Sequence, residues 1–314
     1  MVDKRLASKQ PQTSFNMQVK GLVSCVIPTY KRSDTLKRAV DSLLCQTYQS
    51  IEILVVDDNE RGSDESNRVA ELVDSFQDSK VKLVLQEKHI NGAEARNAGV
   101  KASVGEFIAF LDDDDEWLPE KIEKQMAILD SDSSIDGVSC LYHELTDGKI
   151  FHSCPPYTGE GLHKKVFQRE VAVFTSTILL RKKALLEAGL FDTTLRRHQD
   201  LQLLLDFTKE HKMAVLNDYY VKLHSDSGIN RPSYERLVTI KKDFFRAVAP
   251  HLDLYTKREQ RQIKAAHLFE LAFAALKEKK LFPALGQFIK VGIDIPAYKA
   301  LYKRMKARKY VALS

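Results

Sequence analysis

An apolar run that ends in four consecutive carboxylates, Phe107-Ile108-Ala109-Phe110-Leu111-Asp112-Asp113-Asp114-Asp115-Glu116-Trp117, constrains this 314-residue chain more than any other stretch. Gly105 and the unbroken, aromatic-rich segment Phe107 to Leu111 read as a short buried strand, which puts Asp112 to Asp115 where the chain leaves a sheet. Adjacent carboxylates repel one another, so four together are stable near neutral pH only when solvated or facing a cation. Hard oxygen donors suit Mg²⁺ or Mn²⁺ holding a diphosphate, and open α/β sheets bind ligands beyond the carboxyl ends of their strands. The competing reading is a solvated acidic turn ahead of a helix that Pro119 and Glu120 would open.

The preceding sequence repeats one unit. Val23 to Ile27 reads as a strand broken by Pro28-Thr29-Tyr30, after which Ser33 can cap a helix with Leu36, Ala39, Val40, Leu43 and Leu44 on one face. Ile51 to Val56 is a second strand ending in Asp57-Asp58, followed by a helix opened by Ser63, Asp64 and Glu65. Val81 to Leu85 gives a third strand, and the alanine-rich segment Ala93 to Ser103 a helix after Asn91-Gly92. Strands alternating with helices of this length predict right-handed crossovers and a parallel sheet. Beyond the acidic run the spacing predicts a helix from Pro119 to Asp130 and strands near Gly137 to Leu145 and Val171 to Leu180. A helix from Lys182 should stop at Gly189, another should start at Asp200, and Met213 to Leu223 reads as a strand. From Tyr234 onward the pattern is helical, with breaks near Pro250, Pro283 and Pro296.

Charge is divided along the chain: residues 235–314 hold eighteen Lys or Arg against seven Asp or Glu, so this region carries +11 within a net +5. A basic helical tail on an acidic body predicts an anionic surface as partner, membrane headgroups rather than nucleic acid, for which no motif is present. No window of about twenty apolar residues occurs and the N-terminus is polar, so the expected location is the cytoplasm. The four cysteines, Cys25, Cys45, Cys140 and Cys154, lack Cys-x-x-Cys spacing and read as reduced thiols, mostly in the core.

Ser24-Cys25-Val26-Ile27-Pro28-Thr29-Tyr30, Val55-Val56-Asp57-Asp58, Ala95-Arg96-Asn97-Ala98-Gly99 and Leu111 to Trp117 follow one another in this order. Taken together they resemble the family 2 glycosyltransferases, inverting and non-processive enzymes of bacterial surface-polysaccharide type. The resemblance implies an α/β GT-A fold, a Rossmann-like, mostly parallel sheet flanked by helices, with a C-terminal helical region. The expected organisation is a disordered or loosely packed N-terminus (1–20), a GT-A domain (21–232) with a nucleotide-binding half (21–118) and an acceptor half (119–232), and a basic helical region (233–314).

The resemblance also implies roles. Pro28, Thr29 and Tyr30 would wrap the nucleobase, and Asp57 or Asp58 would contact uracil or ribose. Asp112-Asp113-Asp114 matches the family's Asp-x-Asp motif, with Asp114 the direct ligand of Mn²⁺ or Mg²⁺ and Asp112 or Asp113 on the ribose or a metal-bound water. Arg96 and Asn97 match the helix before the acidic strand, where a cation near the diphosphate and a structural hydrogen bond are both open. Phe191-Asp192-Thr193-Thr194-Leu195 followed by Gln199-Asp200 matches the segment whose aspartate is the general base, which assigns that role to Asp200; Gln199 departs from the usual glutamate. His224 matches a position where some GT-A enzymes place a third metal or diphosphate contact, and a lone histidine is also an ordinary loop residue.

The implied reaction moves one sugar from a nucleotide-sugar donor, UDP-linked by expectation, to a hydroxyl of a glycan or lipid-linked glycan. Processive synthases of the family carry Gln-x-x-Arg-Trp and membrane helices, neither of which occurs here, Trp117 being the single tryptophan. The basic C-terminal helices would hold the enzyme on the cytoplasmic face of the inner membrane or in a homo-oligomer, or pack as an ordinary cap. Two alternatives compete: an inactive nucleotide-sugar-binding scaffold, toward which only Gln199 leans, and a sugar nucleotidyltransferase, whose glycine-rich triphosphate loop Pro28 to Arg32 does not supply.

Overall fold

The computed structural model of the chain describes residues 18–224, 232–299 and 301–302. Most of the N-terminal stretch expected to be loosely packed, and the polar loop after His224, lie outside the described residues.

The first part follows the alternation read from the sequence: β1 (Val19–Thr29), α1 (Ser33–Leu44), β2 (Ile51–Asp57), α2 (Asp64–Ser75), β3 (Val81–Leu85), α3 (Gly92–Ala102) and β4 (Gly105–Phe110). The four strands are parallel in the order β3-β2-β1-β4. β2 is buried along its whole length, which explains why its sequence is apolar without strict alternation. Leu36, Ala39, Val40 and Leu43 form the buried face of α1. Ser63 caps α2 by accepting from the Ser66 N–H, and Asn91 caps α3 by accepting from the N–H groups of Ala93 and Glu94. Ser33 does not cap α1: the helix starts on Ser33 itself, after Arg32, without a side-chain cap. Gly99 is dictated by packing, because a Cβ there would lie 2.3 Å from Cγ1 of Val26, so α3 can lie close on β1 only with glycine.

The second part departs from alternation. β5 (Glu116–Trp117), α4 (Lys121–Ser131), β6 (Gly137–Thr146), β7 (Lys149–Ser153), α5 (Leu162–Phe167), β8 (Ile178–Arg181), α6 (Lys182–Ala188), α7 (Gln199–Glu210) and β9 (Met213–His224) follow. The sheet continues β4-β8-β6-β9-β5, with β7 as a hairpin partner of β6. β8 runs antiparallel to both β4 and β6, while β6 and β9 are parallel, so the nine-stranded sheet is mixed.

Two expectations are corrected here. The strand expected over Val171 to Leu180 is four residues long, because Thr175–Thr177 form a 3₁₀ turn that delivers Ser176 to the acidic run. The helix expected from Pro119 begins at Lys121, since Glu116 and Trp117 first pair with β9. Gly189 ends α6 with φ +100°, as its position suggested.

The C-terminal helices are α8 (Tyr234–Ala247), α9 (Ala249–Leu252), α10 (Lys257–Lys277) and α11 (Leu281–Val291). Pro250 sits at the start of α9, but the break expected at Pro283 falls at 278–280, and Pro283 lies in the first turn of α11, where no N–H is missed. Phe167 of α5 packs edge-on to Phe244 of α8 and to His267 of α10, which locks these helices to the body. Glu270 of α10 pairs with Arg169 at 2.8 Å and with the buried Lys241. All four cysteines are free thiols, and only Cys45 is exposed.

Candidate active site

The acidic run leaves the sheet as a tight turn: the Leu111 N–H still donates to the Val26 carbonyl, and the Asp115 N–H closes back on the Asp112 carbonyl at 3.0 Å. The turn sorts the four carboxylates, Asp113 and Asp115 being buried and Asp112 and Asp114 half-buried. Asp115 points into the body, where it accepts from Ser176 Oγ at 2.6 Å and from the His224 N–H at 3.3 Å. Burial, then the charges of Asp112 and Asp114, hold its carboxyl well above the usual range, so it is a structural acid. Asp113 accepts from Thr29 Oγ1 at 2.9 Å, and its pKa is pushed up to about 6 by burial and then by Asp114.

The cations that offset this turn are arginines distant in sequence. Arg32, at the head of α1, pairs with Asp114 and reaches Asp113 at 3.3 Å. Arg38 donates to the Asp114 carbonyl at 2.5 Å and has a buried Nε with no partner. Arg96 of α3 pairs with Asp112, and its Nε is likewise buried without a partner. Lys31-Arg32 directly after the first strand was the available sequence signal, but nothing in it specified the Asp114 partner.

Asp200 stands in the first turn of α7, after His198 in the left-handed conformation (φ +63°). The loop before it is pinned to α3. Asn97 Nδ2 donates to the Phe191 carbonyl at 2.9 Å and Asn97 Oδ1 accepts from the Phe191 N–H at 3.1 Å, while Asn91 Nδ2 donates to the Thr193 carbonyl. Of the two roles left open for Asn97, the structural hydrogen bond is therefore made. Burial disfavours the Arg96 charge, but Asp112, Asp200 and Asp113 outweigh it and raise its pKa. The Arg96 guanidinium thus pairs with the acidic turn and is also influenced by the charge of Asp200. Gln199 spends its amide on the Leu195 carbonyl at 2.6 Å.

Around the β1 and β2 ends the pair Asp57-Asp58 divides. Asp57 is consumed locally, accepting from the Asn59 N–H and Nδ2 and from Ser66 Oγ. Asp58 accepts from the Ile90 N–H and faces His89 Nδ1 at 2.8 Å, and burial, the largest influence, raises its carboxyl. His89, which sequence reasoning did not select, stacks on Tyr30 with ring centroids 3.8 Å apart. Pro28 pairs in register with Val56, and the Asp58 N–H donates to the Thr29 carbonyl, so these strand ends form one continuous edge. His224 ends β9 with Nε2 3.4 Å from Glu116, and burial, then Arg38, lowers its pKa. Among the described residues no three His, Cys, Asp or Glu side chains converge as a metal site.

The Glycosyl transferase family 2 model matches residues 24–190, more than half of the chain. Amylovoran biosynthesis glycosyltransferase AmsB of Erwinia amylovora is 29% identical over 246 residues, 74% of this chain and 80% of that protein. The UDP-Glc:alpha-D-GlcNAc-diphosphoundecaprenol beta-1,3-glucosyltransferase WfgD of Escherichia coli is 40% identical over 108 residues, 34% of this chain and 41% of that protein. Among solved structures, S. aureus TarS 1-349 in complex with UDP superposes with a TM-score of 0.61 at 18% identity, covering 93% of this chain and 90% of that one. TarS 1-349 has also been solved with UDP-GlcNAc. The mannosyltransferase PcManGT from Pyrobaculum calidifontis, in complex with GDP-Man and Mn²⁺, superposes at 0.55 with 14% identity, covering 92% of this chain and 84% of that one. These structures share the fold, and with the family match they make the chain a glycosyltransferase of GT-A fold that belongs to family 2.

Proposed function

We propose that the chain transfers a single sugar, with inversion, from a UDP-linked donor to a hydroxyl of a glycan or lipid-linked glycan, in bacterial cell-surface polysaccharide or lipopolysaccharide synthesis. The observation that carries this reading is the pinning of the loop before Asp200 to α3, the helix whose Arg96 pairs with Asp112, which ties the start of α7 to the acidic turn. The names of AmsB, an amylovoran biosynthesis glycosyltransferase, and of WfgD, a glucosyltransferase using UDP-Glc, and the UDP and UDP-GlcNAc held by TarS, support pathway and donor class; GDP-Man in PcManGT makes the base a matter to test.

In this reading the uracil takes the place of His89 against Tyr30, with Pro28 and Thr29 forming the wall and Asp58 receiving the base or ribose. Asp57 shapes that loop. Asp112 and Asp113 hold the ribose or a metal-bound water. The oxygen donors fit a hard divalent ion: Mg²⁺-type ions bind through one or two carboxylates plus substrate phosphates, so no three-ligand protein cluster is needed. Asp114 would hold it by giving up Arg32, and His224 would join by leaving Glu116. Bound Mn²⁺ or Mg²⁺ neutralises charge on the departing diphosphate. Asp200 takes the proton of the acceptor hydroxyl as its oxygen bonds to the anomeric carbon and the bond to the diphosphate breaks, the electron pair leaving with the diphosphate. Arg96 holds Asp112, and its unspent Nε–H is available to an incoming anion. We assign the reaction to the cytoplasm. Against the inactive-scaffold alternative stand the named glycosyltransferases among the relatives, with Asp200 in the first turn of α7.

Calorimetric titration of the purified protein with UDP, GDP, CDP and dTDP, with and without Mn²⁺, tests the donor site. UDP should bind only with Mn²⁺, and Asp114→Ala should abolish that binding. Metal-independent binding, preference for another base, or wild-type affinity in Asp114→Ala would overturn the donor and metal assignments.

A further inference from the structure

Helix α11 turns one apolar face to α10 and a second one to solvent. Ala284 and Gln287 are buried on the inner side, where Phe288 packs against Phe269 and Phe273. On the outer side Phe282, Leu285 and Ile289, spaced i, i+3, i+7, are 89%, 55% and 70% exposed, and Ile293 in the following turn is 98% exposed. An apolar stripe of this length is not a scatter of single surface residues. Beside it lies a cleft of about 560 Å³ between α10 and the segment after α11, lined by Arg258, Arg261, Lys264 and Lys290, with Asp294 as its one acid. Arg258, Arg261 and Lys264 recur every three residues along α10, and none of the four cations has an ion-pair partner among the described residues.

We propose that this surface docks on an anionic lipid bilayer, with the α11 stripe entering the headgroup boundary and the four cations meeting lipid phosphates. An apolar face flanked by cations is the composition of an interfacial helix, and each basic residue near an anionic leaflet adds attraction. Charge argues against the two other occupants. A second copy seated face to face would bring the same cations together, and residues 303–314, with Lys303, Arg304, Lys306, Arg308 and Lys309 and no acid, would be repelled by the basic cleft. The surface lies outside the residues assigned to sugar transfer, so this inference and the proposed function fail separately.

The test is co-sedimentation of the full chain with vesicles of phosphatidylcholine alone or mixed with phosphatidylglycerol, at low and high salt. Binding is expected only to the phosphatidylglycerol vesicles and should fall steeply with salt. Phe282→Glu/Ile289→Glu and Arg258→Glu/Arg261→Glu should each reduce the bound fraction by at least about tenfold. The substituted residues are exposed, so melting temperature and UDP binding should stay at wild-type values. A chain ending at Tyr302 should keep binding that the Phe282→Glu/Ile289→Glu pair abolishes. No binding to anionic vesicles, binding unaffected by these substitutions, binding lost only with residues 303–314, or a dimer dissolved by Phe282→Glu would each overturn the proposal.

Discussion

At the scale of residues, the account turns on how four adjacent carboxylates coexist. They do so by division of labour: Asp115 is turned inward onto Ser176 with its pKa raised by burial, Asp113 is buried on Thr29, and Asp112 and Asp114 are met by Arg96 and Arg32. Arg96 meets Asp112 through one arm of its planar fork, and its positive charge is also favoured by Asp200. Arg96→Lys keeps that charge and loses the fork, a change that is not conservative at such a site. It should lower kcat about 10–100-fold, the equivalent of a charged hydrogen bond of about 1.5–3 kcal/mol, with a smaller change in UDP affinity. Steady-state kinetics beside a UDP titration checks this, and an unchanged kcat would remove Arg96 from the site. The acidic turn and Asp200 were legible in the sequence because each belongs to a contiguous motif. Arg32, Arg38 and His89 were not, because what marks them is a partner 31 to 82 positions away that only folding supplies.

Elements tell the same story with different causes. The early strands and helices were readable because buried parallel strands are continuous apolar runs and Ser63 and Gly189 sit at helix ends where chemistry demands them. Val171 to Leu180 misled because a short apolar run does not distinguish strand from turn, and the 3₁₀ turn exists to carry Ser176 to Asp115. α5, α7 and α9 are joined by a half-buried chain in which His163 Nε2 faces His251 Nδ1 at 3.1 Å and His251 Nε2 faces Asp206 at 2.7 Å. Burial, then the neighbouring His251, lowers the His163 pKa from 6.5 to about 4. The folded pKa lies below the unfolded value, so the unfolded chain binds the proton first. This contribution to stability is complete above pH 6.5 and is lost as pH falls toward 4. Thermal melts across that range should show a falling melting temperature, and His163→Phe should flatten the dependence attributable to this joint. A wild-type slope in the variant would assign the acid sensitivity elsewhere.

For the whole molecule, the sequence pattern conveyed an α/β sheet with a basic helical end but not the strand order. The placement of β8 between β4 and β6, antiparallel to both, depends on contacts between segments about forty to seventy residues apart. That inserted strand brings the second part of the chain beside the first, where the loop leading into α7 is bonded to Asn91 and Asn97 at α3. The expectation of a mostly parallel sheet holds for β3-β2-β1-β4 and gives way to a mixed sheet beyond it. The packed C-terminal helices answer one open alternative in part: α8 and α10 bury Phe244 and Phe269 as an ordinary cap would, and α11 leaves its outer face uncovered. The central claim is that two carboxylate groups from these two parts act on one donor and one acceptor. Its most direct test is the rate of UDP release from UDP-glucose or UDP-GlcNAc with lipid-linked glycan acceptors, for the wild type and Asp200→Asn, with UDP affinity measured alongside. The account predicts a loss of roughly 10²–10⁴-fold in turnover with UDP binding retained; turnover within a few-fold of wild type at equal UDP affinity would contradict it.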